Sequence, residues 1–279
     1  MAYTTINKST DYFNTKLYTG NAGTQSITGV GFQPDLTWIK RRNTTGGNMW
    51  TDAVRGVTKT IISNETSAEQ TFANGLTAFG TDGFTVGSEG GFNSANTIAS
   101  WNWKAGNSAG SSNSNGSITS TVSANTTAGF SIVKYTGTGS NATIGHGLGV
   151  EPSMIIIKNL TASRDWLVYH KQLGNTHGIY LDLNNASTSS SGFFNNTSPT
   201  SSVFSVGTDT DANDSSDNTI AYCFAEKTGY SKFGSYTGNG STNGTFVFCG
   251  FRPAWVMSKR SDSSDGWRIR DAKRDIDNP

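Results

Sequence analysis

The chain has 279 residues, a formal net charge of +1 and only 15% charged residues. So small a charge gives no electrostatic grip on nucleic acid or anionic lipid, and 7 tryptophans are more than a disordered chain carries. The 33 glycines and 5 prolines, with much Ser, Thr and Asn, suit short apolar strands joined by small polar turns, and the length suits two or more domains.

The opening "MAYTTINKST" lacks a basic start followed by an apolar run and does not read as a secretory signal. Residues 1–15 are expected to form an N-terminal arm. At Tyr18 the phrase "YTGNAGTQSI" begins. It returns as "YTGTGSNATI" from Tyr135 and "YTGNGSTNGT" from Tyr236. Each phrase leads to a strand-like segment: "GFQPDLTWIK", "GVEPSMIIIK" and "GFRPAWVMSK". Pro34, Pro152 and Pro253 precede these segments, where a missing N–H costs little. Lys40, Lys158 and Lys259 close them. A tryptophan follows in each copy: Trp50, Trp166 and Trp267. Asp-x-x-Arg then appears at Asp52–Arg55 and Asp271–Arg274, whereas the middle copy reads "WLVYHKQLG".

The second half of the unit also recurs. "FTVG" at Phe84 matches "FSVG" at Phe204, and "NTIA" occurs at Asn96 and Asn218. Repeats about 100 residues apart are of domain size. The expectation is an all-β chain of tandem antiparallel β-sandwich modules, jelly-roll or lectin-like, with few short helices. Module 1 is placed at 16–106 and module 2 at 130–229, with a Gly/Ser/Thr linker at 107–129 between them. The first half of module 3 is placed at 230–279. The latter part of the linker, "SITSTVSA", alternates, so an extended crossover on a neighbouring chain is weighed beside a flexible tether. The third copy has neither Phe-x-Val-Gly nor Asn-Thr-Ile-Ala, so the chain is expected to continue or to be completed by another chain.

No segment has the spacing of a reaction centre. His146, His170 and His177 lack partners at ligand spacing and are read as surface or hydrogen-bonded residues. The acidic run "GTDTDANDSSDN" offers Asp209, Asp211 and Asn213 as weak Ca²⁺ candidates, but Asp214 and Ile220 stand where a calcium loop needs Gly and Glu. Trp50, Trp166 and Trp267 are binding candidates because indoles stack on sugar rings; core packing is expected ahead of that role. Cys223 and Cys249, within apolar stretches, are read as buried thiols. No cofactor and no metal is expected.

Four features carry a resemblance: "GFQPDLTWIKRR" with the following "DAVRG", "DGFTVGS" with "TIASWNWKAG", the long "GYSKFGSYTGNGSTNGTFVFCGFRPAWVMSKR", and the later Trp and Asp-x-x-Arg. Over nearly its whole length the chain resembles repeated-domain virion structural or tail-fibre-like proteins of tailed bacteriophages, marine ones especially. The resemblance implies a non-enzymatic tail-fibre or appendage component, assembled in the host cytoplasm and located in the virion. Its partners would be other virion proteins and further copies of itself, a homo-oligomer with a trimer expected, and a host cell-surface glycan or protein. No nucleic acid partner and no membrane insertion are expected. A capsid decoration or head-fibre protein anchored on the shell is the alternative. A carbohydrate-binding or carbohydrate-active module is a second, and the active form would need paired carboxylates across a groove.

Overall fold

The computed structural model describes residues 4–274. Residues 1–3 of the expected arm and 275–279 of the expected third module lie outside the described residues. The described chain is all-β, with 21 strands in antiparallel sheets and three single-turn α-helices.

The first unit contains β1 (Phe13–Thr19), β2 (Gln25–Thr28), β3 (Leu36–Arg41), β4 (Met49–Asp52), β5 (Lys59–Ile62), β6 (Gln70–Thr71), β7 (Leu76–Gly80), β8 (Gly83–Val86), α1 (Gly90–Asn93) and β9 (Thr97–Trp103). Its large sheet has the order β1-β9-β3-β4-β5-β6, and β2-β8-β7 form a small one. The second unit contains β10 (Ser111–Asn113), β11 (Ser120–Asn125), β12 (Phe130–Thr136), β13 (Ala142–Gly145), β14 (Met154–Asn159), β15 (Trp166–His170), β16 (His177–Tyr180), β17 (Thr188–Ser189), α2 (Ser191–Phe194), β18 (Val203–Val206), α3 (Thr210–Asn213) and β19 (Asn218–Phe224). Its large sheet runs β10-β11-β12-β19-β14-β15-β16-β17, with β13-β18 as the small one. The third unit is the hairpin of β20 (Trp255–Ser258) and β21 (Arg268–Asp271).

Two boundaries differ from the sequence reading. The fold begins before residue 16, because Phe13 opens β1 and packs on Trp103 at 4.9 Å. The expected linker 107–129 carries β10 and β11, and β11 pairs with β12 over Thr121–Asn125. Ser120 and Val122 on one face and Ser123 on the other are buried on this chain's own sheet, so the tract crosses onto the chain's own second unit and no tether is needed.

Each large sheet is buried on both faces, which explains strands as apolar throughout as "MIIIKN". In the first unit Ile39 and Ile98 face the small sheet, in one core with Ile27, Phe84, Val86 and Phe92. In the second, Ile155, Ile157, Ala221 and Cys223 do the same with Ile144 and Phe204. The opposite faces meet in a third, central core. Leu36, Trp38, Trp50, Trp101 and Trp103 come from the first unit, and Met154, Ile156, Trp166, Ile220 and Tyr222 from the second. Trp255, Met257, Trp267 and Ile269 of the hairpin pack against it. Three sheets therefore share one core.

The Tyr-Thr-Gly phrase locks each unit's first strand to its helical turn. The Tyr18 hydroxyl donates to Phe92 O, and the Tyr135 hydroxyl to Ala212 O, both at 2.6 Å. Two residues on, a Cβ at Gly20 would lie 1.9 Å from Ser94 O, and one at Gly137 2.2 Å from Asp214 O, so only glycine fits. Asn93 and Asn213 finish the lock. Each amide donates to a carbonyl six residues back, Gly87 O at 2.9 Å or Gly207 O at 2.6 Å. Each Oδ1 accepts a backbone N–H, from Asn21 or Thr138. In the third unit Tyr236 is 60% exposed and a Cβ on Gly238 would meet nothing.

Candidate functional site: the joints between units

The register of the sheets shows which residues correspond. Leu36 and Met154 open β3 and β14 and pair with Trp103 and Phe224. Trp38 then faces Trp101, and Ile156 faces Tyr222. Trp101 therefore matches Tyr222, and the two "NTIA" tetrapeptides lie one residue out of step. The bond from Gly20 N reaches Asn96 O, but that from Gly137 N reaches Asp217 O. A slip of one residue would have turned the aromatic face outward. Trp267 matches Trp166: Trp166 pairs with Lys158, and Trp267, one residue before the Ser258–Arg268 pair, falls at Lys259, whereas Trp50 pairs with Trp38 and so lies two positions further along the same face.

With this correspondence the lysine and backbone contacts between units repeat. At the joint of the second unit on the first, the Lys158 ammonium donates to Thr66 O at 2.9 Å. The Arg164 N–H donates to the same carbonyl, and Glu69 N donates to Leu160 O. At the joint of the third unit on the second, Lys259 Nζ donates to Asn184 O at 3.1 Å. Asp265 N donates to Asn184 O, and Ser187 N to Ser261 O. Both tryptophans point across: Trp166 Nε1 to Glu65 O at 3.1 Å and Trp267 Nε1 to Tyr180 O at 2.7 Å. Lys158 is fully buried, and burial pushes its pKa down to about 8 although Asp182, Asp211 and Asp165 favour its charge.

A second contact uses the Asp-x-x-Arg turn. Asp52 Oδ1 accepts the Val54 and Arg55 N–H groups, while Oδ2 accepts Arg55 Nε. Arg55 also donates to Trp50 O at 2.9 Å. Asp271 repeats this with Lys273 N, Arg274 N and Arg274 Nε, and Arg274 donates to Ile269 O. The partner from another unit is the matched aromatic. Tyr222 OH donates to Asp52 at 2.7 Å, and Trp101 Nε1 donates to Asp271 at 3.0 Å. Burial favours the neutral acid at Asp271, but the bonds from Arg274 and Trp101 outweigh it and hold its pKa below the ordinary value. Burial opposes the Arg55 charge, yet the adjacent Asp52 raises its pKa above the usual range.

These contacts close a cycle. The second unit leans on the first, the third on the second and the first on the third. The middle unit has His170 where the others have aspartate. There Phe233 approaches the imidazole at 6.4 Å in place of a polar aromatic.

The sequence-predicted binding residues belong to this packing. Trp50 and Trp166 are buried in the central core 5.3 Å apart, and Trp267 is half-buried at its edge. The Trp50 and Trp166 indoles are thereby enclosed. The calcium candidates are also engaged locally. Asp209 caps α3 by accepting Asp211 N, Asp211 accepts Asp165 N, and Asn213 is wholly buried in the lock described above. Among the described residues no group of three acidic, His or Cys side chains is placed to hold a metal. Cys223 is a buried free thiol, and Cys249 is free and partly exposed. His146 is buried, with Nδ1 accepting Leu148 N and Nε2 facing Thr200 O at 3.1 Å. Sequence reasoning missed Asp52, Tyr222, Trp101 and Thr66 as joint residues. The repeated Asp-x-x-Arg was the available signal, but its partners lie about 170 residues away.

A family model described as "Domain of unknown function (DUF7483)" matches residues 8–279. Neither a curated protein nor a solved structure matches the chain.

Proposed function

The chain belongs to the DUF7483 family, and we propose that it is a non-enzymatic virion structural protein, a component of a phage tail fibre or similar appendage. It attaches to the particle through other virion proteins and displays its units toward a host-surface glycan or protein. The observation that carries this reading is the repeated joint. Lys158, Arg164 and Thr66 at one boundary, and Lys259, Asp265 and Asn184 at the next, make the same bonds in the same order. The most elaborate polar chemistry of the chain holds its own units together, as expected of a part that bears load and positions surfaces. The resemblance of the three repeats to tail-fibre-like proteins supplies the particle.

Cryo-electron microscopy of virions that contain the chain tests this. Density for the three-sheet core at the tail supports the appendage reading. The same density on the capsid lattice assigns the chain to shell decoration instead, and its absence from particles overturns both. Native mass spectrometry of the purified chain tests the expected homotrimer.

A further inference from the structure

Among the described residues the lysine contact is made at two of the three joints, and these two show what the lysine of the third, Lys40, would accept. On the first unit the matching groups are Lys40 Nζ, the Gly46 N–H and the Arg42 carbonyl. Lys40 Nζ donates to Gly46 O at 2.6 Å, the counterpart of the Lys158 bond to Arg164 O. The counterpart of Thr66 O would come from the third unit. No described residue of that unit supplies it. In its place is a cleft of about 320 Å³ between Lys40, Arg41 and Arg42 on one side and Ile269, Arg270 and Arg274 on the other. Arg41 Nε in its wall is buried without a hydrogen-bond partner. Among the described residues the neighbouring strand edge is also unpaired. β4 pairs with β3 and β5, and β15 with β14 and β16, whereas among the described residues β21 pairs only with β20.

We infer that this cleft is a docking groove for an extended polypeptide segment of the β5 type, which adds to the edge of β21 and turns a backbone carbonyl onto Lys40. The closed joints define the occupant. Ile61 pairs with Trp50 and Ile179 with Val168, and both isoleucines enter the central core. The matching position on β21 is Ile269, which already packs against that core. Five residues after Ile61 and Ile179 come Thr66 and Asn184, whose carbonyls receive the lysines. Charge selects further. The groove walls are basic, and in the closed first joint Glu69 reaches Arg55 Nη1 at 3.3 Å. A glutamate at the same spacing would meet Arg274. The groove is therefore fitted to a strand with a core-facing aliphatic residue, a polar turn five residues on and an acid three residues later. Backbone pairing gives such strand addition its affinity, and side-chain pockets its specificity. This inference does not rest on the virion reading.

The test uses a synthetic peptide of residues 57–70, "VTKTIISNETSAEQ", titrated into the full chain with amide hydrogen exchange as the readout. Saturable binding is expected, with protection confined to β21 and residues 40–46. Lys40→Met in the chain should weaken binding about tenfold or more, the worth of one charged hydrogen bond. Ile61→Ser or Glu69→Gln in the peptide should each weaken it as well, and these changes cannot disturb folding of the chain. No saturation by about 1 mM, protection elsewhere, or indifference to all three substitutions overturns the proposal. So does displacement of the peptide by inorganic phosphate, which would assign the cleft to anions. Filling of the groove by a second copy of the chain before peptide binds overturns it too, and light scattering detects that dimer.

Discussion

The same Asp-x-x-Arg turn occurs in two settings. At Asp52–Arg55 both side chains are sealed, with the arginine only 1% exposed. At Asp271–Arg274 the carboxylate is equally enclosed, but the arginine side chain is 25% exposed. The bonds inside the turn are the same in both. The turn is thus specified locally by aspartate accepting N–H groups two and three residues on. The surroundings set its energetic weight: the first copy is enclosed by Tyr222 and Glu69, and the second, among the described residues, by Trp101. Asp52→Ala should cost about 3–5 kcal/mol, because it strands a buried guanidinium. Asp271→Ala should cost about 1–3 kcal/mol, because Arg274 regains water. Denaturant unfolding of both variants measures the difference, and equal losses would break the comparison.

The Tyr-Thr-Gly phrase gives the next contrast. Gly20→Ala forces a Cβ against Ser94 O and should destabilise by about 1–3 kcal/mol. Gly238→Ala meets no atom, and its effect should lie within about 1 kcal/mol of zero, on the stabilising side. Thermal melts of the two variants decide this. A large loss at Gly238 would mean that the third phrase is packed as the others are. Smaller again is Tyr222→Phe. It keeps the ring on Trp50, 5.0 Å away, and removes one of the bonds to Asp52. A loss of about 1–2 kcal/mol is expected, and it should vanish in an Asp52→Ala background if the bond is the whole effect.

These residues also show how far the sequence could be read. The strand class was legible because β-branched and aromatic residues alternate between glycine-rich turns, and the indoles of Trp101 and Trp103 fall on one face as that alternation requires. Core packing of Trp50 and Trp166 was legible from the same pattern. The matching of "NTIA" was misleading. Identical letters aligned residues that the sheet places one step apart, and period-two burial overrides identity. The tract 107–129 was misread because its serines and threonines resemble a tether, although their alternation already fitted a strand beside β12. The joints were not legible. A lysine at a strand end has the same letters whether it faces water or Thr66 O, and only the three-sheet core decides.

The smallest predicted effect separates the buried acids from the rest of the titration. Burial raises the carboxyl pKa of Asp182 to about 6, with Asp165 beside it adding to the shift. Asp211 is raised to about 6 by burial, Asp209 and Asp165. An acid whose pKa is raised on folding binds its proton more tightly in the folded state. Its contribution is therefore greatest at low pH and is lost as pH rises from about 4 through 6. His146 and His170 have pKa values lowered by burial and oppose this slope, so the wild-type profile alone does not isolate the acids. Asp182→Asn does. Its Oδ1 can still accept Trp166 N, now at 3.0 Å from the carboxylate, and its amide takes the place of Asp182 Oδ2, which is buried without a partner. Relative to wild type the variant should gain stability steadily between pH 4 and 6 and level off above, as followed by urea midpoints across that range. A flat difference would mean that Asp182 is hydrated in solution and that the seam between the first two units admits water. A difference of opposite sign would mean that Lys158 depends on the Asp182 charge to hold the joint.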